Sequence, residues 1–441
     1  MSVAITPLLA LRVSDLSTNI DSHQLSRPAS EISMPALALL GGSKTKTKPF
    51  PAWPHHDERE RKAVLDVLES NVWWRTPGTQ TLAFEQEFAK FHGAKHGIAI
   101  TNGTHALEVV MAALGIGHGD EVIVPDSTFV ATASAALFAG ALPVTVDIDE
   151  ATQCIDPALV EQAIGPRTKA IAAVHMGGHP ADLDRLIEIA KKQKLHLIED
   201  CAHAHASQWR GRCVGNYGIA GTFSFQQSKL MTAGEGGIII TNDDDFERKA
   251  RSAHDCGRLP GEWFYSHFSY GSNYRLSEWQ GAILRVQLSR LEEQTARRHA
   301  NARLLDKLLA DIPGITPQRL DERCTRNGHY AYIFYYDAAE FAGVPTKRFI
   351  EAMNAEGIPN QAAYPPIHSL DVFKNGRYRE RLAADHAAEE HAFLKRQYPV
   401  TERAAWQCYW LPQYALLGDE QDMQEVAAAI RKVRENAASL K

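Results

Sequence analysis

The chain has 441 residues, enough for two domains and a sizeable core. Charged residues make up 23% and the net charge is −6, so the composition lacks the basic footprint of a nucleic-acid or anionic-membrane binder. Six scattered cysteines without CxxC spacing argue against a zinc knuckle or disulfide framework and fit reduced thiols in the cytoplasm, and no apolar run reaches the length of a spanning helix.

Residues 1–48 are rich in Ser, Thr, Leu and Ala, lack a basic n-region, and read as a loosely ordered extension rather than a signal peptide. From about residue 97 short apolar runs alternate with helical patterns. Runs 98–100, 121–124, 143–147, 170–174 and 195–199 read as buried strands, with helices predicted over 105–114, 132–139, 157–164 and 183–193. That alternation predicts an α/β fold with a mostly parallel sheet, whose ligands gather at the carboxyl ends of the strands. A long amphipathic stretch over 276–309 is the type that bridges domains. It divides a large domain, 49–295, from a smaller α+β domain, 296–441, with an apolar run at 330–335 and helices near 346–353 and 422–434.

Chemistry-bearing residues recur at the predicted strand ends. Thr101, Asn102, Gly103 and Thr104 end a strand and open a helix, where free amides and the positive helix end suit a phosphate. An ordinary N-cap is the alternative. Phe129, just past the 121–124 run, can stack on a planar ring or fill the core. Asp200 ends the 195–199 run, where a carboxylate can keep a pyridine nitrogen protonated, although Asp is also a common turn residue. His203 and His205 can flank a ring or sit hydrogen-bonded in the core. Ser224 can add a hydroxyl to the phosphate cradle.

Lys229 lies between the run 222–225 and a glycine-rich turn, Gly234-Glu235-Gly236-Gly237, that feeds the run 238–240. A lysine amine partly desolvated there can lose its proton and attack a carbonyl, which suits a Schiff base to pyridoxal phosphate. A surface lysine before a hairpin is the alternative. Phosphate donors, stacking ring, acid, hydroxyl and amine follow one another along a single predicted sheet. No Walker motif, HExxH helix or GxSxG elbow competes, and no metal is expected.

The segments Asn102-Gly103-Thr104-His105-Ala106-Leu107, Thr128-Phe129, Val174-His175-Met176, Asp200-Cys201-Ala202-His203 and Ser224 to Lys229 with the glycines after it resemble the DegT/StrS-type sugar aminotransferases. The resemblance runs from about Phe50 to the C-terminus. Pro51-Ala52-Trp53-Pro54, Trp73-Trp74-Arg75, Cys256-Gly257-Arg258, Asn273-Tyr274-Arg275 and Asn327-Gly328-His329-Tyr330 place it nearest the 3-amino-5-hydroxybenzoate synthase and cyclitol aminotransferase branch. The resemblance implies the aspartate-aminotransferase fold (PLP fold type I) with pyridoxal phosphate as cofactor. It implies Lys229 as the Schiff-base lysine, Asp200 on the pyridine nitrogen, Phe129 on the ring, and Gly103, Thr104 and Ser224 on the phosphate. It also implies that Asn273 reaches the neighbouring subunit's cofactor, hence a homodimer with shared sites. Trp74, Arg275, His329 and Tyr330 become candidates for substrate contacts.

Ser127 departs from the aromatic most relatives carry, and Asp126 is expected to add a charge beside the ring, a difference that bears on substrate. Relatives with histidine in place of the lysine are dehydratases, and Lys229 argues against that route. The implied activity is transfer of an amino group from glutamate or glutamine to a keto-sugar or keto-cyclitol. The rivals are a lyase of the 3-amino-5-hydroxybenzoate synthase type, a pyridoxal-phosphate-binding regulator without turnover, and an interaction protein that has kept only the fold.

Overall fold

A computed structural model of the chain describes residues 36–388 and 391–441. Nine strands lie in the first part: β1 (His96–Ile100), β2 (Glu121–Pro125), β3 (Leu142–Val146), β4 (Thr168–Val174), β5 (His196–Asp200), β6 (Gln208–Trp209), β7 (Arg212–Cys213), β8 (Ala220–Ser224) and β9 (Gly237–Thr241). Seven of them form one sheet in the order β1-β9-β8-β5-β4-β2-β3. Strand β9 runs antiparallel to both its neighbours, and the other pairs are parallel. These strands are buried almost end to end, as expected where helices cover both faces of a parallel sheet. The fold is therefore the predicted α/β class, and five predicted strands fall within one or two residues of β1 to β5.

Eight helices accompany this sheet: α1 (Glu58–Ser70), α2 (Gln80–His92), α3 (Gly103–Ala113), α4 (Ala131–Ala139), α5 (Pro157–Ala163), α6 (Leu183–Gln193), α7 (Asp244–His254) and α8 (Glu278–Leu309). Helix α6 occupies the predicted residues because its ends are written locally. Asp182 accepts the Arg185 amide at its start, and Lys194 takes the left-handed conformation at its stop. Helix α8 serves two cores. Leu284, Leu288 and Leu291 pack into the core around the large sheet, whereas Ala302, Leu305 and Leu309 join a second core.

That second core surrounds a sheet of β10 (Ile315–Pro317), β12 (Ala331–Tyr336), β14 (Cys408–Pro412) and β13 (Gln361–Ala362), in that order. The short strand β11 (Cys324–Arg326) pairs instead with β6, and β6 with β7. Helix α9 (Thr346–Ala355) and a helix at Glu420–Glu435 cover the second sheet.

Of the segment expected to be a loose extension, residues 1–35 lie outside the described residues. Residues 36–48 are tied to the second core. Leu37 is buried in it, and Lys46 pairs with Asp422 and Glu425. Glu356, fully buried, accepts the amides of Ala38 (2.8 Å) and Thr45 (2.9 Å) and pairs with Lys432. Burial alone would raise that carboxyl's pKa, but these donors outweigh it and hold it below its usual value.

Candidate active site

The parallel strands bring residues far apart in sequence to one edge. Register places Asp200 at the end of β5 opposite Val174 of β4 and Thr222 of β8. On the other side β9 places Gly237 against Ile100, two residues before Asn102. Asn102 caps α3 by accepting the His105 amide at 2.8 Å, and the amides of Gly103 and Thr104 at the helix start find no partner among the described residues. The packing here demands glycine. A Cβ on Gly103 would stand 2.8 Å from the Cβ of Ser224, and one on Gly237 would stand 2.5 Å from the Asn102 carbonyl carbon.

These strand ends open onto a cavity of about 710 Å³. Gly103, Thr104, Phe129, Asp200, His203, Ser224, Lys229 and Tyr330 all line it, with Tyr364 from the second sheet's side and the carboxylates Glu108 and Glu235. Lys229 is 9% exposed, and its Nζ lies 4.4 Å from the centre of the Tyr330 ring. Burial pulls its pKa down to about 8, with the charge of Asp200 opposing the shift. Ser228, next to it, shares a 3.0 Å hydroxyl contact with Tyr330.

Asp200 is buried, and both carboxylate oxygens are held. Thr132 on α4 donates to Oδ2 at 2.8 Å, and the Ala202 amide donates to Oδ1 at 3.1 Å. Thr128, four residues earlier in the bend before α4, touches the Thr132 hydroxyl at 3.0 Å. Burial nevertheless raises the Asp200 pKa, against these bonds and the nearby Lys229. Such a carboxylate gains from a cation placed against it.

The cavity fits pyridoxal phosphate on its own features. Two unpartnered helix-start amides, with the Thr104 and Ser224 hydroxyls nearby, form an anion cradle. Phe129 stands 53% exposed on the wall, a free face for a planar ring. His203 stacks on Tyr330 at 3.9 Å and contacts the Tyr364 hydroxyl through Nε2 at 3.2 Å, while its buried Nδ1 has no partner. Burial holds this imidazole neutral, well below its ordinary pKa, so Nδ1 is an atom that a bound ligand would satisfy.

Other candidates stand elsewhere. His205 is buried between Phe223 (5.4 Å) and Phe225 (5.6 Å), not at the cavity. Asp126 has no exposed surface and turns to His368, whose Nδ1 lies 2.6 Å from it, so no charge stands beside the ring there. This one chain does not bring Trp74, Arg275, His329 or Asn273 to the cavity wall. Arg275 is paired with Asp255 and lies under Trp74, and Asn273 is exposed on a bridge to Asp255. His329 is buried with a φ of 52° and faces His299 at 5.7 Å.

Sequence reading missed Thr132 and Tyr364. Thr132 carries a faint signal, a hydroxyl pair at i, i+4 with Thr128. Tyr364 carries none, because packing of the second sheet brings it in. Among the described residues, His175, Glu199 and Cys201 lie close enough to hold a metal. Their donors are spent: His175 accepts the Ala181 amide and meets Glu199, which takes the amides of Gly215, Tyr217 and Gly218.

A buried lysine of lowered pKa, a buried acid on the same cavity and an anion cradle on this fold fit a pyridoxal-phosphate-dependent enzyme. The model of the DegT/DnrJ/EryC1/StrS aminotransferase family matches residues 54–431, and the chain belongs to that family. It is 40% identical over 421 residues to an L-glutamine:2-deoxy-scyllo-inosose aminotransferase of Streptomyces paromomycinus, covering 92% of this chain and 99% of that one. It is 41% identical over 389 residues to a 3-amino-5-hydroxybenzoate synthase of Amycolatopsis mediterranei, covering 87% and 97% respectively. The crystal structure of a 3-amino-5-hydroxybenzoic acid synthase superposes with a TM-score of 0.81 at 39% identity, over 88% of this chain and 99% of that one. No helix among the described residues is long and apolar enough to cross a membrane.

Proposed function

We propose that this enzyme moves an amino group from glutamine or glutamate to a keto-cyclitol or keto-sugar, in the making of aminocyclitols, amino sugars or antibiotics. The observation that carries it is Lys229, an amine of lowered pKa at the wall of a large cavity that Asp200 also lines. The relative named for glutamine and a deoxy-inosose supports the choice of donor and acceptor.

Pyridoxal phosphate, when bound, supplies an electron sink for charge that develops at the substrate carbon. Lys229 would hold its aldehyde and, once displaced by the donor, take a proton from the substrate carbon and return it as general acid. Asp200 would keep the pyridine nitrogen protonated. Phe129 would cover the ring, Gly103, Thr104 and Ser224 would hold the phosphate, and His203 would offer Nδ1. Among the lining residues Lys229 is the single lysine or arginine. The phosphate's charge thus falls to helix amides and to what a second subunit brings, which favours a homodimer with Asn273 serving the neighbouring site. Trp74 and Arg275 then remain candidates for substrate contacts through that interface, Tyr330 lines the cavity directly, and His329, buried against His299, drops out. The six free cysteines suit the reducing cytoplasm, where we place the enzyme.

The direct test loads the holoenzyme with glutamine, removes it, and adds keto-cyclitols and keto-sugars. Glutamine should bleach the cofactor's long-wavelength absorbance, and the right acceptor should restore it. Failure of every amino acid to bleach it would sink the reading. A second reading, a ring-dehydrating lyase, draws on the synthase relative and its crystal structure. An aromatic product formed without any amino donor would establish it instead.

The lowered lysine pKa sets a pH dependence. With a pKa of about 8, roughly a tenth of the Lys229 amine is neutral at pH 7, against less than a thousandth for an ordinary lysine. Because the neutral amine is the nucleophile, reloading of apoenzyme with pyridoxal phosphate should quicken with pH and level off above about 8. A plateau only near pH 10.5 would show that the site does not desolvate this lysine.

A further inference from the structure

Beside the cofactor cavity lies a second one of about 410 Å³, and the two share Gln226, Ser228 and Tyr330. Its lining carries no charged residue. Carboxamides dominate, among them Gln227, Asn354, Asn360, Gln361 and Gln413, with the Trp53 indole as one wall. The indole N–H donates to the Gln227 carbonyl at 2.8 Å, which fixes the ring.

Two of the carboxamides are held by their backs. Gln413 is 1% exposed, and its Oε1 accepts from Arg298 at 3.0 and 2.7 Å, leaving Nε2 buried without a partner. Asn360 donates from Nδ2 to the carbonyls of Ile350 (3.3 Å) and Ile358 (3.0 Å), leaving Oδ1 buried without a partner. Both side chains line the same cavity, and each keeps one polar atom with no hydrogen-bond partner among the described residues. Stranded buried polar groups of this kind are costly until something meets them. A ring hydroxyl can both accept and donate, and the apolar face of such a ring can lie on an indole.

The electrostatics select further. A phosphate would find no cation on this wall. Arg298 does not line the cavity, has no exposed surface, and lies behind Gln413 and Trp53. We propose that this carboxamide annex is the acceptor subsite, and that it selects an uncharged polyhydroxylated ring over a phosphorylated or nucleotide-linked one. The inference rests on the aminotransferase reading above.

The test uses holoenzyme loaded with glutamine and follows the two half-reactions separately. Gln413→Glu keeps an oxygen for Arg298 but replaces the free donor by an acceptor. The rate constant for discharge by 2-deoxy-scyllo-inosose should fall at least tenfold relative to that for loading by glutamine. Equal change in both half-reactions, or in neither, would overturn the assignment, the former by placing the amino donor in the annex. The unaltered enzyme gives an independent measurement if that variant fails to fold. It should be discharged at least a hundredfold faster by the free keto-cyclitol than by a nucleoside-diphosphate keto-sugar. Equal or reversed rates would overturn the selectivity. If glutamine loads the enzyme and no keto compound discharges it, the aminotransferase reading itself falls and takes this inference with it.

Discussion

Lys229→Ala is expected to lower turnover by at least about 10⁴-fold while leaving the fold intact. Two losses combine. An amine that moves the proton would contribute about 10²–10⁴ as a general acid–base group, and on the proposed reading the nucleophile that holds the aldehyde would go with it. Stability should not fall. The amine is 9% exposed and desolvated enough to bring its pKa to about 8, so the folded chain without cofactor gains little from keeping it there. The check is single-turnover kinetics with glutamine, the cofactor's absorbance, and the melting temperature of the cofactor-free protein. Lys229→Arg separates charge from nucleophilicity, because the guanidinium stays protonated and should be as inactive as alanine. Activity within tenfold of the parent in either variant would remove Lys229 from the chemistry.

Why was this residue visible in the sequence when others were not? Strands β1 to β5, β8 and β9 are buried on both faces, so most of them read as short, largely apolar runs. In such a sheet the residues just past each run collect at one edge. Gly103, Phe129, Asp200, Ser224 and Lys229 therefore advertise themselves by position along the chain. Side-chain direction is not written there. His203 and His205 look equivalent as text, yet one lines the cavity and the other enters the Phe223–Phe225 cluster. Asp126 looks like a charge at the ring, but its partner His368 lies 242 residues away. The same holds for Tyr364, which meets His203 across 161 residues, and for Lys46, whose partner Asp422 lies 376 residues on. Strands β6, β7 and β11 are two or three residues long and carry too little pattern to read.

Asp200→Asn is the second large effect, expected to slow both half-reactions by about 10²–10³-fold, the scale of one preorganised electrostatic partner. The substitution preserves shape. Its carbonyl oxygen can take the Ala202 amide while its new amino group donates to the Thr132 hydroxyl, which can accept, so the side chain should stay in place. What is lost is the negative charge. Burial already raises the Asp200 pKa, so the site holds an anion at a cost that the Ala202 and Thr132 bonds only partly offset. A protonated pyridine nitrogen against it would meet that charge. With asparagine there, nothing anionic holds the ring proton, and the ring draws electrons away from the substrate carbon less strongly. Loading by glutamine and discharge by acceptor should slow in similar proportion, because both pass through the same charge development. Cofactor affinity should weaken as well, and excess pyridoxal phosphate should restore occupancy without restoring rate. If saturating cofactor returns full activity, Asp200 acts in binding alone and its proton-holding role is wrong.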